Sequence, residues 1–158
     1  MLHPNVEVAA QLDCAKYLNL VSIQIHGISQ LEIVVQEAIE NSEKRGPFWG
    51  SERPELAILL QAAVPIESTE VCASYRLYWK NFTAYLVTEE CVGSCGNYDD
   101  EIFEGKVFRL YNQSHFLKHL SLDTGGQVYP LIHYKIICLN QLIDVASEEP
   151  PAIEVISK

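Results

Sequence analysis

The chain has 158 residues, the size of one globular domain, and 48% of them are apolar, which excludes a disordered protein. The formal net charge of −10 disfavours binding to nucleic acid or to an anionic membrane, and it favours a cation or a basic protein as partner. No apolar run is long enough to span a membrane and no signal-peptide pattern is present, so we expect a single cytoplasmic domain over residues 1–158, with reduced cysteines.

The first helix signals come at the N-terminus. Asn5 is a candidate cap, and apolar residues follow it at near-helical spacing, so a helix is predicted over residues 5–19. Residues 20–26 alternate between apolar and polar side chains, which predicts a strand.

A stronger set of helix signals follows. Ser29 and Glu32 have the spacing of a capping box, and an apolar stripe with a charged opposite face comes after them. Two cations and a glycine close the segment, as is typical of a helix C-terminus. These signals predict a helix over about residues 30–45. A further helix is predicted over about 52–63, and Pro65 ends it.

Residues 71–79 carry the clearest strand pattern. Their odd positions are apolar and their even positions are mixed, which is the period of two expected of a half-buried strand. Lys80 and Asn81 can form a turn to a second strand over 82–88, so an antiparallel hairpin is predicted.

The C-terminal part continues with strand signals and one short helix. A strand is predicted over 106–111, followed by a helix that Ser114 caps and that ends at residues 123–126. Isoleucine and valine enrichment predicts one central strand over 132–146, with a bulge near Asn140, although a helix also fits its spacing. A tail or short edge strand over 152–156 closes the chain. The helix residues expected to point inward are Phe116, Leu117 and Leu120.

Together these patterns predict an α+β fold. We expect a mainly antiparallel sheet of about 4–6 strands from the C-terminal half. N-terminal helices should pack on one face of this sheet, and a short helix should lie between two of its strands.

Several segments between residues 65 and 155 resemble a family of uncharacterised bacterial proteins. The resemblance implies one intact bacterial domain and carries no activity, cofactor or site. The segments that carry it are Tyr75-Arg76-Leu77-Tyr78-Trp79, Ala84-Tyr85-Leu86-Val87, Phe108-Arg109-Leu110-Tyr111 with Ser114, Phe116 and Leu117, His133-Tyr134, Cys138-Leu139-Asn140 and Ile143-Asp144-Val145.

Two cysteines and two histidines have spacings found in zinc sites. Cys91 and Cys95 lie in a loop, and His115 and His119 lie one turn apart on the predicted short helix. These four side chains are a candidate zinc site. Thiols and imidazoles that bind no metal, or a reversible disulfide between the two cysteines, are the alternatives.

The loop over residues 89–104 is strongly acidic and contains no lysine or arginine. Carboxylates suit Ca²⁺, but the loop lacks the EF-hand pattern, so a solvated acidic surface or a docking surface for a basic partner are the alternatives. The acidic residues are Glu89, Glu90, Asp99, Asp100, Glu101 and Glu104.

A catalytic set is the third candidate. His133, Cys138 and Asp144 could form a nucleophile, base and orienting group, but they cannot converge within one strand, where positions 138 and 144 lie about 20 Å apart. Cys138 is therefore expected to be a core residue.

The sequence thus predicts a non-enzymatic, acidic interaction protein, of the inhibitor or immunity type, that binds a basic partner. The alternatives are a zinc- or calcium-binding protein and an enzyme with an unrecognised site.

Overall fold

The computed structural model describes residues 6–44, 63–93, 99–126 and 130–157. Half of these residues form strands, every pairing between the described strands is antiparallel, and a few short helices join them. In chain order the elements are α1 (Val6–Asp13), β1 (Tyr17–His26), β2 (Gln30–Glu40), a short 3-10 helix (Ser42–Lys44), β3 (Ile66–Glu67), β4 (Ser74–Trp79), β5 (Ala84–Glu89), α2 (Glu90–Gly93), β6 (Ile102–Glu104), β7 (Phe108–Gln113), α3 (His115–Asp123), β8 (Ile132–Ile137), β9 (Gln141–Ser147) and β10 (Ala152–Ser157).

The strands form two five-stranded sheets. The first has the order β1-β2-β4-β10, with β3 paired to β2, and the second has the order β5-β9-β8-β7-β6. Residues of both sheets share one apolar core, and the rings of Trp79 and Tyr134 meet across it at 6.0 Å. The two sheets therefore pack face to face. None of the helices in the described ranges combines the length and apolar character that a membrane crossing needs.

The second strand, β2, corrects the helix predicted over residues 30–45. Leu31, Ile33 and Val35 are fully buried and alternate with less buried residues, which is the period of a strand. The β-branched residues Ile33, Val34 and Val35 favour strand over helix because they lose side-chain freedom in a helix. Pairing with β1 on one side and β4 on the other outweighs the local capping signals.

The predicted strand at 71–79 is present as β4, and the next strand is present as β5, but the hairpin between them is wrong. The two strands belong to different sheets. The backbone amide of Phe82 donates a hydrogen bond to the Ser29 carbonyl, in the turn between β1 and β2 of the first sheet, and the Thr83 amide donates one to Ala146 of β9 in the second. The short connection at residues 80–83 therefore carries the chain from one sheet to the other.

The single strand predicted over 132–146 is in fact the hairpin of β8 and β9. The chain reverses at residues 138–140, where the Cys138 amide donates a hydrogen bond to the Gln141 carbonyl. The suspected bulge near Asn140 lies within this turn. Cys138 is a core residue as predicted, and burial raises the pKa of its thiol to about 12.

The predicted short helix is confirmed as α3. The Ser114 hydroxyl accepts a hydrogen bond from the Leu117 amide at its N-terminus, and Gly125 and Gly126 follow its end with positive φ angles. Phe116, Leu117 and Leu120 are partly buried, in agreement with the predicted inward face.

At the N-terminus, the predicted helix over 5–19 is present only as α1, which ends at Asp13. The strand predicted over 20–26 begins earlier, at Tyr17. The Asp13 carboxylate accepts hydrogen bonds from three successive amides of residues 106–108, at 2.7 to 2.9 Å, and so ties α1 to the start of β7.

The C-terminal strand over 152–156 is confirmed as the edge strand β10. The helix predicted over 52–63 lies outside the described residues. The prediction of N-terminal helices on one face of a single C-terminal sheet is corrected in two respects, since the described strands form two sheets and the N-terminal strands β1 and β2 belong to the first of them.

We expect Ile33→Ala to lower the free energy of unfolding by about 3 kcal/mol, because it opens a cavity between the sheets. Ile39→Ala is the matched control, since Ile39 lies on the same strand and is exposed, and it should cost less than about 1 kcal/mol. Urea unfolding monitored by circular dichroism measures both values. Equal losses would contradict the strand assignment of β2.

Candidate functional site

A buried polar cluster lies on the outer face of the second sheet, on the hairpin of β8 and β9. Lys135 lies directly opposite Asp144 in the pairing, and His133 is its diagonal neighbour on the same face. His133 Nε2 lies 2.8 Å from Asp144 Oδ1, and Lys135 Nζ lies 3.2 Å from the same oxygen. One carboxylate oxygen therefore binds both the imidazole and the ammonium group.

Two aromatic rings cover the imidazole of His133, which is 1% exposed. Tyr111 of β7 stacks on it with ring centroids 4.3 Å apart, and Phe116 of α3 lies 5.1 Å away. Burial is the largest single effect and works against the charged form of Lys135, but the Asp144 carboxylate, with smaller contributions from Tyr111 and Glu101, outweighs it, so the pKa of Lys135 is raised. The cluster thus holds an ion pair largely away from bulk water.

The second ring nitrogen of His133, Nδ1, is also buried, and it has no hydrogen-bond partner within the described parts of the chain. When Nε2 donates its proton to Asp144, a neutral imidazole presents Nδ1 as a hydrogen-bond acceptor. Buried polar atoms usually have a partner, so the described residues leave the hydrogen-bonding capacity of this atom unused.

A cavity of about 320 Å³ opens above this cluster. Its floor is formed by His133, Lys135 and Asp144, and α3 forms one wall. The cavity combines an apolar surface with a charged floor, as ligand sites commonly do. The other side chains that line it are Leu86 and Thr88 of β5, Val92 of α2, Leu142 of β9, and Glu101, His115, Phe116 and His119.

Two of the four predicted zinc ligands, His115 and His119, line this cavity. Cys91 lies in α2 and its thiol is 3.6 Å from a carboxylate oxygen of Glu89, whereas Cys95 lies outside the described residues. In the described ranges, no three histidine, cysteine or acidic side chains are arranged to hold a metal ion. The zinc site therefore stays a prediction.

Two residues of the predicted acidic loop fasten it to the start of α3. Asp100 Oδ1 lies 2.6 Å from His115 Nε2, and Glu101 accepts a hydrogen bond from the His115 amide. The hydrogen bond from His115 lowers the pKa of Asp100. Five acidic residues of the loop are exposed, as a docking surface requires: Glu89, Glu90, Asp99, Asp100 and Glu104. Calcium binding by this loop stays a prediction.

Three side chains of the cavity wall, His115, His119 and Glu101, are among the site residues predicted from the sequence. The polar cluster at the cavity floor is not predicted. A single strand over residues 132–146 would keep His133 and Asp144 apart, so the predicted strand does not pair them. The signal that could have paired them is the interruption at Leu139 and Asn140. Interpreted as a turn, it predicts a hairpin that brings His133 and Lys135 to Asp144.

No protein-family model matches the chain, and no curated protein or solved structure matches it either. The resemblance to a bacterial family over residues 65–155 stays a prediction.

Replacing Asp144 with alanine should lower the free energy of unfolding by about 3 kcal/mol, because the largely buried Lys135 and His133 side chains lose the carboxylate that binds them both. Glu154→Ala is the control, because it breaks the exposed ion pair with Arg76 and should cost less than about 1 kcal/mol. The double variant D144A/K135M should recover part of the loss. Urea unfolding at neutral pH gives all three values, and a negligible effect of Asp144→Ala would contradict the buried ion pair.

The Asp100–His115 contact makes a small contribution to stability that depends on pH. Because folding lowers the pKa of Asp100, the contribution is present above the unfolded pKa and is lost as the pH falls through the folded pKa. We expect His115→Ala to raise the pKa of Asp100, measured by NMR titration of its carboxyl carbon. His119→Ala should leave that pKa low, since His119 pairs with Asp123 instead.

Proposed function

We propose that this protein binds a small molecule in the cavity between α3 and the outer face of the second sheet. The observation that carries the proposal is the His133–Asp144–Lys135 cluster, which is buried at the cavity floor and leaves His133 Nδ1 without a partner among the described residues. Pockets with an apolar lining and a few convergent polar groups are the usual form of a ligand site.

Energetics support a role for the cluster beyond stability. Burying an ion pair costs desolvation free energy, and the attraction between the two charges often fails to recover that cost. Apolar residues at these positions could therefore stabilise the hairpin as much as the ion pair does. A polar cluster of this kind suits recognition, because each buried group left without a partner strongly favours a ligand that supplies one.

The lining sets the chemistry of the ligand. Leu86, Val92 and Leu142 offer contacts to an apolar body, and Phe116 offers an aromatic ring. His133 Nδ1 requires a donor, so the ligand should carry a hydroxyl or amino group. The volume corresponds to the lower end of small-molecule sites. We therefore propose a compact, mainly apolar ligand with one hydrogen-bond donor.

A second candidate function is the one predicted from charge, an acidic interaction protein of the inhibitor or immunity type. The exposure of Glu89, Glu90, Asp99 and Glu104 supports it, because acidic side chains that face solvent can meet a basic partner. None of these four acidic residues lines the cavity.

Ligand-observed NMR tests the cavity directly. We expect a fragment library to yield compact aromatic or aliphatic alcohols and amines that bind the wild-type protein. Leu86→Trp should abolish this binding, because it places an indole in the cavity. Leu110→Trp is the matched control, since Leu110 is similarly exposed and does not line the cavity, and it should bind as wild type does.

His133→Phe provides the chemical test, because it keeps a flat ring and removes both Nδ1 and the Nε2 atom that binds Asp144. Fragments with a donor should bind this variant about tenfold more weakly, which is the effect of one lost hydrogen bond. A screen without hits, or hits that bind Leu86→Trp unchanged, would rule out the cavity as the binding site.

A further inference from the structure

We infer that the edge of β5 that pairs with no other described strand is the docking site for an extended, basic segment of a partner protein, which adds to the second sheet as an antiparallel strand. The inference rests on the proposed interaction with a basic partner, and it adds the site and the backbone conformation of the bound segment. It does not depend on a ligand in the cavity.

The position of β5 in the sheet is the first argument. Among the described strands, β5 pairs with β9 on one side only. Alternate amide and carbonyl groups of such an edge point away from the sheet and can pair with another chain. Proteins usually protect edges with charges, prolines or bulges, and the pairing of β5 with β9 is continuous over six residues.

The side chains of β5 are the second argument. Three successive apolar residues, Tyr85, Leu86 and Val87, are 37%, 49% and 40% exposed. Apolar side chains on both faces of one edge strand can pack against the side chains of an added strand. Strand addition is a common mode of peptide recognition, in which backbone pairing supplies affinity and side chains supply specificity.

Charge determines the kind of partner. Glu89 ends β5 and Glu90 follows it, and both are exposed. A strand that adds in the antiparallel direction, as all strands of this sheet do, places its N-terminal residues beside these carboxylates. Lysine or arginine at the start of the segment would then pair with them. A second copy of this chain is a poorer occupant, because each copy carries a net charge of −10.

The other sheet edges fit a basic segment less well. The strand β6 has only three residues, and two acidic residues beside it, Asp100 and Glu101, bind the start of α3. At β10, Glu154 already pairs with Arg76. The strand β1 has exposed apolar residues, but the cation Lys16 precedes it and pairs with Glu40. Apolar exposure and acidic side chains therefore coincide best at β5.

Selection from a displayed library of random peptides tests this inference on the full chain. We expect the enriched peptides to begin with lysine or arginine and to continue with β-branched or aromatic residues. The best peptide is then synthesised, and its affinity is measured by fluorescence anisotropy. Hydrogen exchange should show new protection at the amides of residues 84–89.

Charge reversal provides the matched comparison. The double variant E89K/E90K should bind the peptide at least about tenfold more weakly. The control E7K/E43K makes the same change in net charge at exposed residues outside both sheets, and it should retain most of the affinity. Circular dichroism verifies that both variants are folded.

The possible outcomes test the docking site and the charge of the partner independently. Basic peptides that protect another element would overturn docking at β5 and leave a basic partner in place. Peptides without basic residues that protect β5 would overturn the basic partner. Failure to enrich any peptide overturns the inference, as does a dimer joined through β5 in sedimentation velocity, which would assign the edge to a second copy.

Discussion

The antiparallel register of β8 and β9 is the constraint on which the core and the candidate site both depend. One face of this hairpin places Tyr134, Ile136 and Val145 in the core between the sheets. The opposite face brings Lys135 and His133 to Asp144. Because side chains alternate along a strand, a shift by one residue would exchange the two sets. It would place an ion pair in the apolar core, so the packing energy of the core also fixes the geometry of the polar cluster.

Aromatic side chains that pack on His133 also hold the polar cluster in place. Tyr111 and Phe116 come from different elements, and their rings limit the movement of the imidazole. The Lys135 ammonium lies 5.6 Å from the centre of the Tyr111 ring, within the range of a cation–π contact. In a site with little water, such contacts are stronger than on the surface. The floor of the cavity is therefore preorganised, and a ligand would not have to order it.

How much of this fold could be predicted depended on whether the signal was local. The period of β4 and the Ser114 cap of α3 are read within a few residues, and both predictions are confirmed. The capping box at Ser29 is equally local, yet it failed, because β2 gains pairing from strands on both sides. Local propensity is a weak guide where tertiary pairing competes with it.

The candidate site likewise combines features that local sequence signals predict with features that depend on distant parts of the chain. His115 and His119 could be placed together from helical spacing alone, and both line the cavity. The contact between His133 and Asp144 depends on recognising a turn between them, and the apolar character of the whole segment hides that turn. Likewise, the position of β5 at a sheet edge follows from its pairing with β9, which comes more than fifty residues later in the sequence. No pattern within β5 itself contains this information.

The carboxylate of Asp13 has a consequence for the order in which the molecule assembles. It binds amides 93 to 95 residues further along the chain, and Gly105, with a φ of +94°, precedes them. An added Cβ at Gly105 would lie 2.2 Å from the Phe108 carbonyl oxygen, so the tight turn requires glycine. Contacts so distant in sequence slow folding, because the intervening chain has to close into a loop before they can form. The N-terminal helix should therefore dock late, on a second sheet that has already formed.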